Sequence, residues 1–587
     1  MEQNIQMKRC EIDVEQQILD LEIEGILPYP ILGDRIRISA VFCAGNLDRY
    51  FPMIAYGTVC EGQYTQFHAV AKIQLDSVFF EYHPEHPDDI ILKFCSCTPD
   101  YEWMMFDTDV VLDGTLFQSK IISKSAPENL LSKSFCILKY LICSLLLPVW
   151  ILSGYLAVKG HGALHPAAKG RQGKRAIFYH AHGLVTDWTG YGYSIRELKT
   201  NYFRRQYEKS CRKYTQTEGI LFLSEREVEA GGNLDLVRKA LAEREQQQKT
   251  TSLGEQREFL VNRPVNKLSW KELKHLAAMV AASRMIILED FYPHLHALSM
   301  RPETKILQLW HACGAFKLFG LSNLGISDHL QQDTRNHRSY DAALASGEGI
   351  VPFYSEAFGV PSSHIYPLGV PRTDFFFQEE LMEQRVQDLY QRYPVLQGKR
   401  VVLFAPTFRG SGNQTAYYPT ERFPVNQIVE KLPEDVVLIL KNHPFVHIQL
   451  DIASEYQNRV LDLTGTENIN DLLLLTDVLI TDYSSVIFEA SILQIPMLFY
   501  VFDLEEYIRS RDLYFEFADF VPGKIIKELP DLIQEVLQSL QLPEGNDAGD
   551  SFRQFFLGAI DGHSTQRVVQ LIEQLYDVSE STEQNNP

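Results

Sequence analysis

Paired cysteines and an excess of positive charge are both missing from this chain. The nine cysteines (Cys10, Cys43, Cys60, Cys95, Cys97, Cys136, Cys143, Cys211 and Cys313) are odd in number and scattered. Without paired CxxC knuckles they do not describe a zinc framework, and the expected state is reduced thiols. Lys and Arg total 55 against 76 Asp and Glu, a formal net charge of −21. A main role in nucleic-acid binding is thereby excluded, since neutralising phosphates needs a basic surface. The opening residues Met-Glu-Gln-Asn-Ile-Gln lack the early apolar stretch of a signal peptide. No short-period repeat is present. What the chain does have is an ordinary globular balance over 587 residues, 45% hydrophobic and 22% charged, enough for several domains.

Residues 1–125 read as β-rich. Runs such as Arg35–Cys43, Gln66–Ile73, Ser77–Tyr82 and Ile90–Cys97 are short, β-branched or aromatic, and separated by Gly, Pro and Asp. A small β-sandwich is expected. Residues 126–173 form an apolar linker. Its centre, Tyr140 to Val158, has nearly the roughly 20 residues a spanning helix needs, but contains Pro148 and Gly154. Lys120, Lys124, Lys133 and Lys139 precede it, and Lys159, Lys169, Arg171, Lys174 and Arg175 follow it. Apolar residues between cations suit a segment lying on an anionic membrane surface; a buried connecting helix is the alternative.

From 174 onward strands alternate with helical segments, which argues for parallel α/β architecture. Ala176–Tyr179, Gly219–Leu223, Met285–Leu288, Lys305–Leu309, Ala342–Ser346 and His364–Pro367 make a first half, 174–390. Val401–Phe404, Val436–Leu440, Val478–Ile480 and Met497–Tyr500 make a second, 391–575. Two Rossmann-like domains facing a cleft are expected, with ligands beyond the strand carboxyl ends. Residues 576–587 read as a disordered polar tail.

The chemistry-bearing residues fall at those strand ends. In Thr481-Asp482-Tyr483-Ser484-Ser485, with Glu489 one turn later, a strand runs through a polar turn into a helix. Free N–H groups there favour a phosphate, and Glu489 is placed to accept from ribose hydroxyls. In Ala405-Pro406-Thr407-Phe408-Arg409, Arg409 offers a planar fork for phosphate oxygens. In Lys441-Asn442-His443-Pro444, Lys441 and His443 are candidates for a diphosphate. In Trp310-His311-Ala312-Cys313-Gly314, His311 would face the cleft from the first half and take a proton from an attacking hydroxyl. Cys313 is a conceivable nucleophile, but reads first as a partly buried small residue in a tight loop. His180 and His182 follow the first strand of that half, without the carboxylates a metal pair would want. No metal site and no cofactor are expected.

Together these stretches resemble the CDP-glycerol glycerophosphotransferase family, which includes teichoic acid polyol-phosphate primases and polymerases. The resemblance covers about 174–575. It rests on Trp310-His311-x-x-Gly314-x-x-Lys317, Gly369-x-Pro371-Arg372-x-Asp374, Ala405-Pro406-Thr407-x-Arg409, Asn442-His443-Pro444, Thr481-Asp482-Tyr483-Ser484-Ser485, and Arg511 with Tyr514-Phe515 ahead of Pro522-Gly523. It implies a GT-B-like fold, a CDP-glycerol or CDP-ribitol donor in the second half, and a lipid-linked polyol-phosphate acceptor on the first. It also implies an enzyme peripheral to the cytoplasmic face of the membrane, with His311 and His443 as its catalytic histidines. Arg409, Lys441, Asp482, Ser484, Ser485, Glu489 and Arg511 would bind the substrate. Many members read Trp-His-Gly-Thr-Pro where this chain has Ala312-Cys313-Gly314, and often Arg-Gly where it has Arg511-Asp512. The first variant also occurs among ribitol-phosphate transferases, which leaves the polyol open. A nucleotide-sugar glycosyltransferase and a non-catalytic membrane-bound assembly protein are the alternatives.

Overall fold

Every second residue of Ile18–Leu27 begins by pointing into a core, the mark of a half-buried antiparallel strand. In the computed structural model this pattern builds an all-antiparallel N-terminal domain. The structure describes residues 4–13, 18–30, 36, 38–44, 47–60, 63–74, 89–97, 103–113, 195–214, 218–247, 256–263, 265–292, 294–295, 298–323, 340–410, 416–446, 451–505, 507, 513–515, 517–541 and 549–583. Strands β1 (Asn4–Asp13), β2 (Ile18–Leu27), β3 (Ile38–Ala44), β4 (Leu47–Cys60), β5 (Tyr64–Gln74), β6 (Asp89–Cys97), β7 (Trp103–Met105) and β8 (Val110–Asp113) form it. The first part of β4, to Met53, pairs with β3, and its second part, from Ile54, pairs with β5. That long strand passes from one layer to the other. Leu19, Leu21, Phe67 and Ala69 of one layer share a core with Ile38, Phe42, Leu92 and Phe94 of the other. The domain is therefore sandwich-like.

The chain divides into two compact units, one comprising 1–118, 216–263 and 282–587, the other 119–215 and 264–281. Helices α1 (Ile195–Lys213) and α3 (Trp270–Ala282) mark the second unit. There Tyr202 meets Trp270 edge to face at 5.0 Å, and Lys199 Nζ donates to the Leu268 carbonyl at 2.6 Å.

The first unit holds two parallel sheets. One contains β9 (Ile220–Ser224), β10 (Gln256–Leu260), β11 (Met285–Leu288), β12 (Lys305–Gln308), β13 (Ala342–Leu344) and β14 (Ile365–Tyr366), in the spatial order β10-β9-β11-β12-β13-β14. The other contains β15 (Arg400–Ala405), β16 (Val436–Leu440), β17 (Val460–Asp462), β18 (Val478–Thr481), β19 (Met497–Tyr500) and β20 (Lys524–Ile526), in the order β17-β16-β15-β18-β19-β20. The second is the doubly wound order, reversing between β15 and β18; the first reverses between β9 and β11. Such reversals open a crevice at the strand carboxyl ends. The inner strands are continuous apolar runs, as burial on both faces requires.

Helix α2 (Asn233–Gln247) packs on the first sheet through Leu234, Val237 and Leu241. Helix α4 (Val486–Ile492) follows β18. Two helices close the chain, α5 (Asp550–Leu557) and α6 (Ser564–Glu583). They correct the expected domain limits. The last part of 391–575 returns to the first sheet, and the segment from 576 expected to be a disordered tail continues as helix to Glu583. The reason is an apolar stripe: Val568, Val569, Ile572 and Tyr576 fill the same core as α2. The Asp374 carboxylate fixes the start of α6 by accepting from Ser564 N at 2.9 Å and Thr565 N at 2.7 Å. Tyr576 anchors its far part, its hydroxyl accepting from Gly219 N at 3.0 Å.

Several expectations lie outside the described residues: the linker run 140–158, the strand 176–179, His180, His182 and Arg511. Among the described residues no helix is long and apolar enough to cross a membrane, and no group of three or more His, Cys, Asp or Glu is arranged to hold a metal ion.

Candidate active site

The apolar strand β11 ends in two consecutive carboxylates, Glu289 and Asp290, and β12 ends beside it in the fully buried Gln308. The Gln308 amide joins three backbone or side-chain groups. Its nitrogen donates to the Asp290 carbonyl and the Tyr340 hydroxyl, both at 3.1 Å, and its oxygen accepts from Trp310 N at 3.0 Å. Trp310 stands at φ +56°, a left-handed conformation that a bulky residue adopts only when held there. Asn233, at the start of α2, supplies the second hold by donating to the Trp310 carbonyl at 2.7 Å. The indole is stacked on Phe319 and edge-on to Phe358, each at 5.1 Å. This reversal turns the next residue, His311, out of the sheet.

His311 is 44% exposed, and its Nδ1 lies 2.9 Å from Asp290 Oδ1. Asp290 Oδ2 lies 3.2 Å from Arg226 Nε. Burial pushes the Asp290 carboxyl up, but the close approach of His311 and the positive charge of Arg226 outweigh it and hold the group below the usual range. Glu289 goes the other way: burial and the Asp290 charge raise it, although Asn233 N donates to its Oε1 at 3.2 Å. Two adjacent carboxyls thus differ in their readiness to ionise.

Gly314 closes the loop after His311 at φ +62°, where a Cβ would stand 2.1 Å from Phe488 Cε1 of the other sheet's domain. Cys313 is buried, and that burial drives its thiol above the ordinary value, which disfavours the thiolate a nucleophile needs. Arg372 reaches in from the Gly369–Asp374 motif. Its Nη2 donates to Glu489 Oε1, to the His311 carbonyl at 3.3 Å and to Cys313 Sγ at 3.7 Å.

On the second sheet, residues after β15, β16 and β18 meet the same space. A cleft of about 790 Å³ is lined from one side by Arg226, Glu289, Asp290, His311 and Arg372, and from the other by Thr407, Lys441, His443, Ser484, Ser485 and Glu489. His443 Nδ1 accepts from Phe445 N at 3.2 Å, so its neutral ring carries the proton on Nε2. Its ring packs against Phe408 at 4.7 Å and Phe445 at 4.6 Å. Ser484 and Ser485 form the turn into α4, and Ser484 Oγ accepts from Val486 N at 3.4 Å.

Three expected substrate contacts are engaged by groups of the protein itself. Arg409 is not among the cleft-lining residues. Its Nε and Nη2 donate to Asp503 at 2.6 and 2.9 Å, and its Nη1 donates to Asp482 Oδ2 at 2.9 Å and the Thr407 carbonyl at 2.6 Å. Tyr418 and Tyr483 cover the guanidinium at 5.5 and 5.1 Å. A buried fork with two carboxylates is compensated and has no reason to seek a phosphate. Asp482 belongs to the same buried group: its Oδ1 accepts from Thr407 N and Tyr483 N, both at 2.6 Å, locking the β15 and β18 turns together. Lys441 lines the cleft, but its ammonium donates to the carbonyls of Leu463, Thr464 and Glu467, and burial lowers its affinity for the proton. It braces the loop 463–467. Glu489 does line the cleft, with Oε1 engaged by Arg372.

A model of the family described as CDP-Glycerol:Poly(glycerophosphate) glycerophosphotransferase matches residues 203–574. The chain belongs to this family. Among its relatives is the teichoic acid poly(ribitol-phosphate) polymerase of Bacillus spizizenii, 37% identical over 64% of this chain and 60% of that protein. The teichoic acid ribitol-phosphate polymerase TarK of Staphylococcus aureus is 40% identical over 46% of this chain and 52% of that protein. The chain thus spans between half and two thirds of the length of these relatives. The solved structure of the wall teichoic acid polymerase TagF superposes with a TM-score of 0.52 at 18% identity, covering 66% of this chain and 95% of that one. It is a likeness of fold.

In this family member the sequence pattern drew attention to His311 but not to its neighbours. Asp290 was overlooked, although two carboxylates directly after the apolar run Met285–Leu288 were a legible signal. Asn233 and Gln308 carried no such signal. Each is an isolated polar residue whose importance comes from groups it meets 77 and 18 residues away.

Proposed function

We propose that this chain transfers a polyol phosphate from a CDP-polyol donor to a hydroxyl of a lipid-linked teichoic acid precursor, releasing CMP. The observation that carries this reading is that His311, after β12 of the first sheet, and His443, after β16 of the second, line one cleft at the strand carboxyl ends. The architecture is read as GT-B-like, two Rossmann-like domains with the donor on the second.

In this mechanism the acceptor hydroxyl gives its proton to His311 Nε2 as its oxygen attacks the β-phosphorus. The bond from that phosphorus to the bridging oxygen breaks, and CMP departs with the electron pair. His443, with Nε2 protonated, donates to the diphosphate, joined by the Ser484–Ser485 turn at the start of α4. Glu489 accepts from the cytidine ribose through Oε2. Lys317, which also lines the cleft, adds positive charge.

Ribitol phosphate is the favoured unit, because both relatives named above are ribitol-phosphate polymerases. The acceptor is placed at the cytoplasmic face of the membrane, with the run 140–158 lying on anionic lipid. Incubation with CDP-ribitol or CDP-glycerol and a lipid-linked acceptor, followed by CMP release, tests the reading. Turnover of CDP-ribitol is expected. Turnover of a nucleotide sugar and of neither CDP-polyol would overturn it. Liposome flotation that persists in a folded variant with Leu145, Leu146, Trp150 and Ile151 made polar would remove the lipid-contact assignment.

A further inference from the structure

The proposed reaction needs an imidazole whose free nitrogen faces the cleft, and a solvent-facing histidine does not select its own tautomer. The surroundings of His311 do. Asp290 Oδ1, buried and without an aligned hydrogen-bond partner, lies 2.9 Å from Nδ1, and an ionised carboxylate only accepts, so this contact favours the proton of the neutral ring on Nδ1. Asp290 is kept ionised by His311 and by Arg226, against its burial. The two backbones are tied as well: Gln308 holds the Asp290 carbonyl with one end of its amide and Trp310 N with the other. Asn233 holds the Trp310 carbonyl. The other charged groups facing the pair are Glu289 beside Asp290 and Arg372, which donates to the His311 carbonyl at 3.3 Å. Neither occupies Nδ1.

We infer that Asp290 is the positioning residue of an Asp–His dyad, holding His311 with Nδ1 protonated so that Nε2 is the atom that removes the acceptor hydroxyl's proton. The inference rests on the reading above for the reaction, and on the contact of ionised Asp290 with Nδ1 for the tautomer. In the step, the hydroxyl proton passes to Nε2, the new O–P bond forms at the β-phosphorus, and CMP leaves with the electrons of the broken P–O bond. Asp290 stays ionised beside the imidazolium and stabilises it.

Arg226 makes the inference sharply testable. Its Nε is a donor 3.2 Å from Asp290 Oδ2. In Asp290→Asn the amide oxygen will therefore turn to Arg226 and the NH₂ to His311. The ring must then accept at Nδ1 and carry its proton on Nε2, the wrong tautomer for a base.

The experiment is ¹⁵N-histidine NMR together with single-turnover CMP release on the full chain. In the wild type the neutral His311 should carry its proton on Nδ1, and in Asp290→Asn on Nε2. The variant should lose roughly 10²–10⁴-fold in rate, with CDP-polyol affinity within about threefold and an unchanged fold. Adding Arg226→Ala frees the amide to flip, and should bring back Nδ1 protonation and part of the rate. The NMR arm needs no substrate. A wild type that turns over no CDP-polyol therefore defeats the functional reading while the tautomer still decides the dyad. The dyad is overturned by a folded Asp290→Asn enzyme with near-normal rate. It is equally overturned by a ring that keeps its Nδ1 proton in that variant.

Discussion

Arg372 donates from Nη2 to Glu489 Oε1, joining the motif that follows β14 to the first turn of α4, which follows β18 of the other parallel sheet. The carboxylate is 7% exposed and the guanidinium 20%. Glu489 keeps Arg372 charged in spite of its burial. The same guanidinium touches the His311 carbonyl, so one cation links α4 to the loop of the proposed base.

Removing one partner leaves the other buried and uncompensated. Arg372→Ala should cost about 3–5 kcal/mol of stability. Replacing both, as Arg372→Met with Glu489→Leu, should cost less than the sum of the single changes. The coupling should be about 1 kcal/mol or more in a double-mutant cycle read by urea denaturation. Additive single changes would show that the pair is not coupled.

Arg409 offers the opposite contrast. Its fork is shared between Asp482 and Asp503 beneath the cleft, a geometry a lysine cannot reproduce. Arg409→Ala should destabilise by about 3–5 kcal/mol, and Arg409→Lys by less. Donor affinity of the folded fraction should stay within a few-fold. A stable Arg409→Ala enzyme with a selective loss of CDP-polyol binding would restore the residue to the substrate.

The two histidines should separate kinetically. His311→Ala should slow single-turnover CMP release roughly 10²–10⁴-fold and leave CDP-polyol binding nearly intact. His443→Ala should weaken donor binding as well as rate, because its Nε2–H faces the diphosphate in the proposed mechanism. Thermal melts control for folding. Equal losses of stability without a kinetic split would assign both rings to bracing their loops.

Acid should expose the Asp290–His311 pair. The folded Asp290 carboxyl lies below its unfolded value of about 3.9 because His311 and Arg226 overcome the effect of burial. A depressed carboxyl contributes stability above the unfolded value and loses it as pH falls through the folded one. The difference in Tm between wild type and Asp290→Asn should be full near pH 6 and shrink once pH drops below about 4. A gap that widens toward acid contradicts this electrostatic account.

The inner strands were legible because strands buried on both faces leave nearly unbroken apolar runs. Val436–Leu440 and Met285–Leu288 were placed to the residue. The three parallel strands missed, β10, β17 and β20, are all at sheet edges. There one side is solvated and the run is interrupted, as in Gln256–Leu260, where only Phe259 is buried. The return of α6 to the first sheet was equally invisible: a helix stripe shows that a partner exists, not which of two sheets it is.

By itself, the sequence determined the alternation of strands and helices and the polar turns at their ends. Period and composition act over a few residues, and they put His311, His443 and Ser484 directly after apolar strands. Only the tertiary structure decided which polar groups face the cleft and which lie beneath it. Arg409 meets Asp482 and Asp503 across 73 and 94 residues, and His311 meets Asp290 because β11 and β12 are neighbours in the sheet. A guanidinium takes the charges that folding brings to it, and no local pattern records which those are.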